Sequence, residues 1–249
     1  MKQLTRVLAM CILASCSKSH PPTIMHSSRI SVIHDITDSM ACFPAADPIL
    51  AMYGFENDKN QEAHFRLVLI SDKKLNPVEE INIEDGTTTE QMNENQETDY
   101  REQLVGSFYE EVRNAIADFH KHYVPGASLK HSECFATIAS ELELLASSKA
   151  TQRTLIIFSD LQENTELFSC YTPLGQKLLK DKPENVVKLL LQRHPLPDNL
   201  IGVTVYFVYN PMNMDQDIMF GEMVAIYKQL LHARGARIVI QATNKNYEP

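Results

Sequence analysis

The chain has no cluster of basic residues, and its 23 lysines and arginines against 32 acidic residues leave a formal net charge of −9. A nucleic-acid surface needs cations to neutralise phosphates, so this balance argues against one and favours cationic or protein partners. The five cysteines form no CxxC and no Cys/His pairing at zinc-ligand spacing. No long low-complexity tract interrupts the sequence. The apolar run near the N-terminus, residues 7–14, is too short to span a bilayer.

What is present is enough for an ordinary folded domain. The 249 residues are 44% hydrophobic, which predicts one domain. A chain of this size buries roughly 70 to 75% of its unfolded surface without staples, so it does not need its cysteines to fold.

The first residues, MKQLTRVLAMCILASCSK, place Lys2 and Arg6 before an apolar segment of the length of a secretory signal core. The segment ends in Leu13-Ala14-Ser15-Cys16, which resembles the lipobox of bacterial lipoproteins. That resemblance implies a signal peptide over 1–15, cleavage before Cys16 and lipidation of Cys16. The protein would then be held at the cell envelope, on the periplasmic or outer-membrane face. Several acyl chains, at ~0.8 kcal/mol per buried CH₂, hold more firmly than a single one. Residues 16–28, polar and Pro-containing, read as the tether. The alternative is an ordinary secreted protein cut near the same place.

Residues 29–40, RISVIHDITDSM, read as a buried strand running into Asp35, Thr37 and Ser39. Ligands of parallel α/β sheets bind outside the carboxyl ends of the strands, and a turn leaving a strand aims positions i, i+2 and i+4 at one point. One carboxylate and two hydroxyls there suit a hard cation such as Mg²⁺, which needs further oxygens from elsewhere. The simpler reading makes Asp35 or Thr37 a helix cap and Ser39 a loop hydroxyl. His34 alternates away from Asp35 and reads as a packed strand histidine.

Further along, 41–53 accommodates a short helix, 64–71 a second buried strand, and 78–83 a strand folding back on it as a hairpin. Residues 85–99, rich in Thr, Glu and Asn, read as a loop. Apolar residues from Tyr100 to Phe119 recur at helical spacing and predict a helix over about 99–122. Ser132 precedes another helical pattern with Glu133 in its first turn. A third long strand at 153–159 runs into Asp160. A loop with a short helix near 176–180, a helix from Pro183 to about His194, a strand over 200–209, a helix over 215–234 and a strand over 236–242 follow. Such alternation predicts a doubly wound, Rossmann-like, mostly parallel six-stranded sheet with one short antiparallel edge strand and helices on both faces.

This order of elements, with Asp35-Ile36-Thr37-Asp38-Ser39 after the first strand and Asp160 ending IIFSD, resembles a von Willebrand factor A domain over residues 29–249. The resemblance implies a metal-ion-dependent adhesion site. Asp35, Thr37 and Ser39 match its D-x-S-x-S, with Thr in place of the first Ser. Asp160 matches the later aspartate and Ser132 best fits the intervening hydroxyl ligand, with Ser128 and Thr137 as alternatives. The customary Gly-Gly-Thr is absent, and Leu161 stands where a glycine usually follows the aspartate. The implied function is protein binding, with Mg²⁺ or Mn²⁺ completed by a partner's Asp or Glu and without catalysis or a small-molecule substrate. A degenerate, metal-free scaffold of the same fold is the alternative. A haloacid-dehalogenase-like phosphotransferase also places an aspartate after its first strand, but it needs a second one where Thr37 stands. In the fold so implied, Cys42, Cys134 and Cys170 gather near one sheet edge. At most one bridge forms, Cys42 with Cys170, unless all three are buried free thiols.

Overall fold

The computed structural model of the protein describes residues 26–37, 42–71, 76–84, 94–122 and 131–242. The signal and tether segments, Cys16, Ser39 and Ser128 lie outside the described residues. The strands are β1 (Ser27–Asp35), β2 (Glu62–Ile70), β3 (Val78–Ile83), β4 (Gln152–Phe158), β5 (Val203–Val208) and β6 (Arg237–Gln241). They form one sheet in the order β3-β2-β1-β4-β5-β6. Every pairing is parallel except that of β2 with the edge strand β3.

The sheet is buried on both faces because its central strands carry consecutive apolar residues, Val32-Ile33, Leu67 to Ile70, Leu155 to Phe158 and Val205 to Val208, rather than alternate ones. Ile30 and Val32 of β1, Phe65 and Leu67 of β2, and Ile156 and Phe158 of β4 pack on one side. There they meet α1 (Ala46–Ala51) and the Phe108, Val112 and Ile116 stripe of α2 (Glu94–His122). On the other side Ile33, Val68, Leu155, Ile157 and Phe207 meet α3 (Cys134–Ser147), α4 (Pro173–Asp181), α5 (Pro183–Arg193) and α6 (Met214–His232).

Two arginines tie elements together. Arg101 of α2, 6% exposed, donates to the carbonyls of Lys59 at 2.7 Å, Gln61 at 2.6 Å and Glu84 at 2.6 Å. It thus satisfies backbone acceptors from both arms at the open end of the β2–β3 hairpin. Arg66 of β2 shares its Nε–H between the two carboxylate oxygens of Glu141 on α3, at 3.0 and 3.1 Å, while its Nη1 donates to Glu80 of β3 at 3.2 Å.

The six-stranded mixed sheet with helices on both faces is the expected one, and the differences are local. Helix α2 begins at Glu94, inside the stretch read as a loop. A polar, acidic first turn suits the helix dipole yet looks like a loop when only apolar spacing is counted. Helix α4 is longer than expected, because Thr172 caps it by accepting from Gly175 N at 3.1 Å and Pro173 stands at its first position. Glu133 lies at the cap position of α3, outside its first turn, and its side chain caps nothing. Cys42, Cys134 and Cys170 are free. Cys42 packs against the α1–α2 side of the sheet while the other two sit in the opposite core, so the proposed pairing of Cys42 with Cys170 is set aside.

Candidate functional site at the end of the central strands

Asp35 ends β1 on the α3 side of the sheet and is fully buried. The β1–β4 register pairs Ile33 with Ile157 and His34 with Phe158. One step further places Ser159 beside Asp35 on the same face, since side chains alternate along a strand. Ser159 Oγ accordingly donates to Asp35 Oδ2 at 2.7 Å, and the Cys134 thiol, at the start of α3, donates to the same oxygen at 3.3 Å. The other carboxylate oxygen, Oδ1, accepts from Thr37 N at 2.9 Å and Thr37 Oγ1 at 2.5 Å.

Thr37 also reaches Ser132: with its own proton on Asp35, Thr37 Oγ1 accepts from Ser132 Oγ at 3.0 Å. Ser132 is held in place by backbone pairing with Asn164 in both directions, at 3.1 and 3.0 Å. Three of the expected ligands, Asp35, Thr37 and Ser132, therefore come together. Thr137, an alternative to Ser132, instead donates to Glu133 O within its own helix at 2.9 Å. Ser39 and Ser128 lie outside the described residues.

The donor set fits a hard cation in kind. Adjacent oxygens of an octahedral Mg²⁺ shell with bonds of roughly 2.1 Å lie roughly 3.0 Å apart. That is the separation of the Thr37 and Ser132 hydroxyls. Among the described residues no three His, Cys, Asp or Glu side chains group to hold a metal.

Asp160 follows β4 and makes bonds within its own loop. Its Oδ1 accepts from Gln162 N at 2.9 Å and its Oδ2 from Gln162 Nε2 at 2.8 Å. Strand parity explains this, because Ser159 and not Asp160 shares the face of Asp35. Leu161, fully buried, has φ of 62°, the left-handed region that favours glycine. The glycine customary at this place in the resembled family thus has a backbone counterpart here without its side-chain economy. Leu161 N donates to Ser159 Oγ at 2.8 Å, so the turn also fixes the serine that serves Asp35.

The reversal brings Glu163 back under α3. Its carboxylate, 3% exposed, accepts from Phe135 N at 2.9 Å and so caps the helix that supplies Cys134. Ser159, Cys134 and Glu163 were not singled out from the sequence. Continuing the alternation of β4 past Phe158 would have pointed to Ser159; for Glu163, in a loop with no periodicity, no signal exists.

Acidic groups gather here, Asp35, Asp160 and Glu163 all acting on the buried Cys134 thiol. Burial raises the pKa of Asp35, opposed by hydrogen bonds from Thr37, Ser159 and Cys134. Burial pushes Glu163 up to about 8, with Glu133 and Asp35 adding to it and the Phe135 N–H opposing. The Cys134 thiol is raised well above its ordinary value, first by burial and then by Asp35. Such a thiol is inert as a nucleophile and acts as a donor. His34 is the packed strand histidine expected, fully buried and lowered to about 3 by burial and by His120.

No protein-family model matches the chain, and a search of curated proteins finds no match. Among solved structures the chain is similar to an aerotolerance-related membrane protein from Bacteroides fragilis, at 9% identity over 87% of this chain and 93% of that one, with a TM-score of 0.38. The von Willebrand factor A-like α/β fold rests on the strand order, the antiparallel edge and the helices on both faces described above. Among the described residues no helix is long and apolar enough to cross a membrane.

Proposed function

We propose that this chain is a cell-envelope lipoprotein whose von Willebrand factor A-like domain binds a protein partner through Mg²⁺ or Mn²⁺, the ion being completed by an Asp or Glu of that partner. The observation that carries the reading is the run of oxygens from Asp35 Oδ1 through Thr37 Oγ1 to Ser132 Oγ, drawn from two separate segments to one point. Asp35, Thr37 and Ser132 would hold the ion, with Ser39 and Asp160 joining them on the strength of the resemblance alone. When bound, the ion supplies a positive charge with open coordination, to which a carboxylate makes a charge-assisted bond. Asp35 contributes buried negative charge, Ser159 and Cys134 fix its orientation from behind, and the partly exposed Thr37 marks the side from which a partner arrives.

Catalysis is not part of this reading. A nucleophilic aspartate must be reached by its substrate, whereas Asp35 has no exposed surface and Thr37 occupies the position of the second acid a phosphotransferase needs. One observation favours the metal-free scaffold as a second reading: each oxygen of Asp35 already accepts two hydrogen bonds from the chain.

Paramagnetic resonance of Mn²⁺ separates the two. The free-ion signal is expected to fall by one equivalent per chain, to return when excess Mg²⁺ displaces the bound ion, and to stay undiminished in Asp35→Asn. An undiminished signal with the unmutated protein leaves the scaffold alone. The anchor is tested by labelling cells with a fatty-acid analogue, where Cys16→Ala is expected to abolish the tag. Recovery of the unmutated protein untagged in the soluble fraction would refute it.

A further inference from the structure

Directly behind Asp35, on the α1–α2 side of the sheet, β1 ends in a residue that the binding site does not use. His34 is fully buried, and neither Nδ1 nor Nε2 has a hydrogen-bond partner. Buried polar groups are nearly always satisfied, so two orphaned nitrogens on one ring call for an occupant. The core-facing stripe of α2, Phe108, Val112 and Ile116, continues at the same four-residue spacing to His120, where an imidazole replaces the next apolar side chain. His34 and His120 lie with ring centroids 6.3 Å apart and planes at 81°. Phe43 closes the triangle at 5.3 Å from His34 and 5.0 Å from His120. His120 is exposed, whereas His34 is fully buried.

We propose that His34 and His120 form a two-coordinate site for a monovalent d¹⁰ metal ion, Cu(I), walled by Phe43. Imidazole selects copper, zinc, iron or nickel rather than Mg²⁺. Coordination number then chooses among these. Zinc takes three or four protein ligands, and among the described residues no third His, Cys, Asp or Glu joins the pair. Cu(I) is content with two ligands in a line. The separation agrees with that geometry. With metal–nitrogen bonds of roughly 2.0 Å, two imidazoles facing each other through one ion have centroids roughly 6.3 Å apart when linear and roughly 5 Å apart at the tetrahedral angle. The observed 6.3 Å leaves room for one ion between the rings. The aromatic wall keeps competing water from the buried nitrogen, and the near-perpendicular planes keep the two rings clear of each other.

The site is distinct from the oxygen site in chemistry and in face: the hard cation belongs with Asp35 on the α3 side, the soft one with His34 on the α2 side. The test uses the full chain with ¹⁵N-labelled histidine and one equivalent of Cu(I), kept reduced without oxygen. Ring nitrogens of His34 and His120 are expected to shift together, unaltered by excess Mg²⁺, and X-ray absorption should show nitrogen scatterers. His120→Phe keeps a ring against Phe43 but carries no nitrogen; it should abolish the His34 shift and weaken Cu(I) retention against a chromophoric chelator at least tenfold. Absence of the paired shift, its persistence in His120→Phe, or sulfur scattering alone, as binding at the half-exposed Cys42 thiol would give, overturns the proposal.

Discussion

Ser159 Oγ donates to Asp35 Oδ2 at 2.7 Å while accepting from Leu161 N at 2.8 Å, so one hydroxyl links the carboxylate ending β1 to the strained turn leaving β4. Ser159→Ala removes both bonds and leaves a buried carboxylate short of a donor. A hydrogen bond to a charged group contributes about 1.5–3 kcal/mol, and urea denaturation of the variant is expected to show a loss of that order. The midpoint should fall with an unchanged slope, since no surface is added to the unfolding transition. A loss below about 0.5 kcal/mol would mean that the bond is not holding Asp35.

Leu161 sets two effects against each other. Glycine in its place would relieve a left-handed backbone that costs about 1–3 kcal/mol. It would also delete a fully buried leucine from the α3 side of the sheet, and Leu→Ala changes in cores cost about 2–5 kcal/mol. Leu161→Gly is therefore expected to be less stable by about 1–3 kcal/mol in the same denaturation experiment, despite the better backbone. A more stable variant would show that the turn strain outweighs the packing.

Glu163 provides a pH signature. Its folded pKa, about 8, lies above its ordinary 4.5, so the folded state binds the extra proton between those values. The stability it contributes is fully present below pH 4.5 and is lost as pH rises through 8. His34 acts in the opposite sense, but only between about 3 and 6.5, so the interval from pH 6.5 to 8 isolates the acidic groups. With EDTA present, stability is expected to fall across that interval by about 1 kcal/mol per pH unit, and Glu163→Gln should flatten most of the fall. An equally steep variant would assign the dependence elsewhere.

The sheet was legible in the sequence because its strands are long apolar runs between polar breaks, and the helices between them leave parallel pairing as the only winding. The oxygen cluster was legible where its members follow one another along the chain, as Asp35 and Thr37 do, and where a hydroxyl precedes a helix, as Ser132 does. Asp160 shows the limit. Its place after β4 was read correctly, but a one-residue change of parity decides which side chain meets Asp35, and that side chain is Ser159. Glu163 reaches α3 only because Leu161 reverses the chain and Asn164 pairs with Ser132. Such a contact depends on a backbone conformation that residue type alone does not announce.

The most direct measurement of the account is the melting temperature with saturating Mg²⁺ against EDTA. An ion that binds only the folded state at 100 times its dissociation constant stabilises it by about 2.7 kcal/mol. A domain of this size moves roughly 2–4 °C per kcal/mol, so a rise of about 5–10 °C is expected. Thr37→Val keeps the branched shape and removes the hydroxyl that joins Asp35 to Ser132, and it should erase most of the rise. Superimposable curves of the unmutated protein in Mg²⁺, Mn²⁺ and EDTA would contradict the metal-dependent reading and return Asp35, Thr37 and Ser132 to a hydrogen-bonded turn.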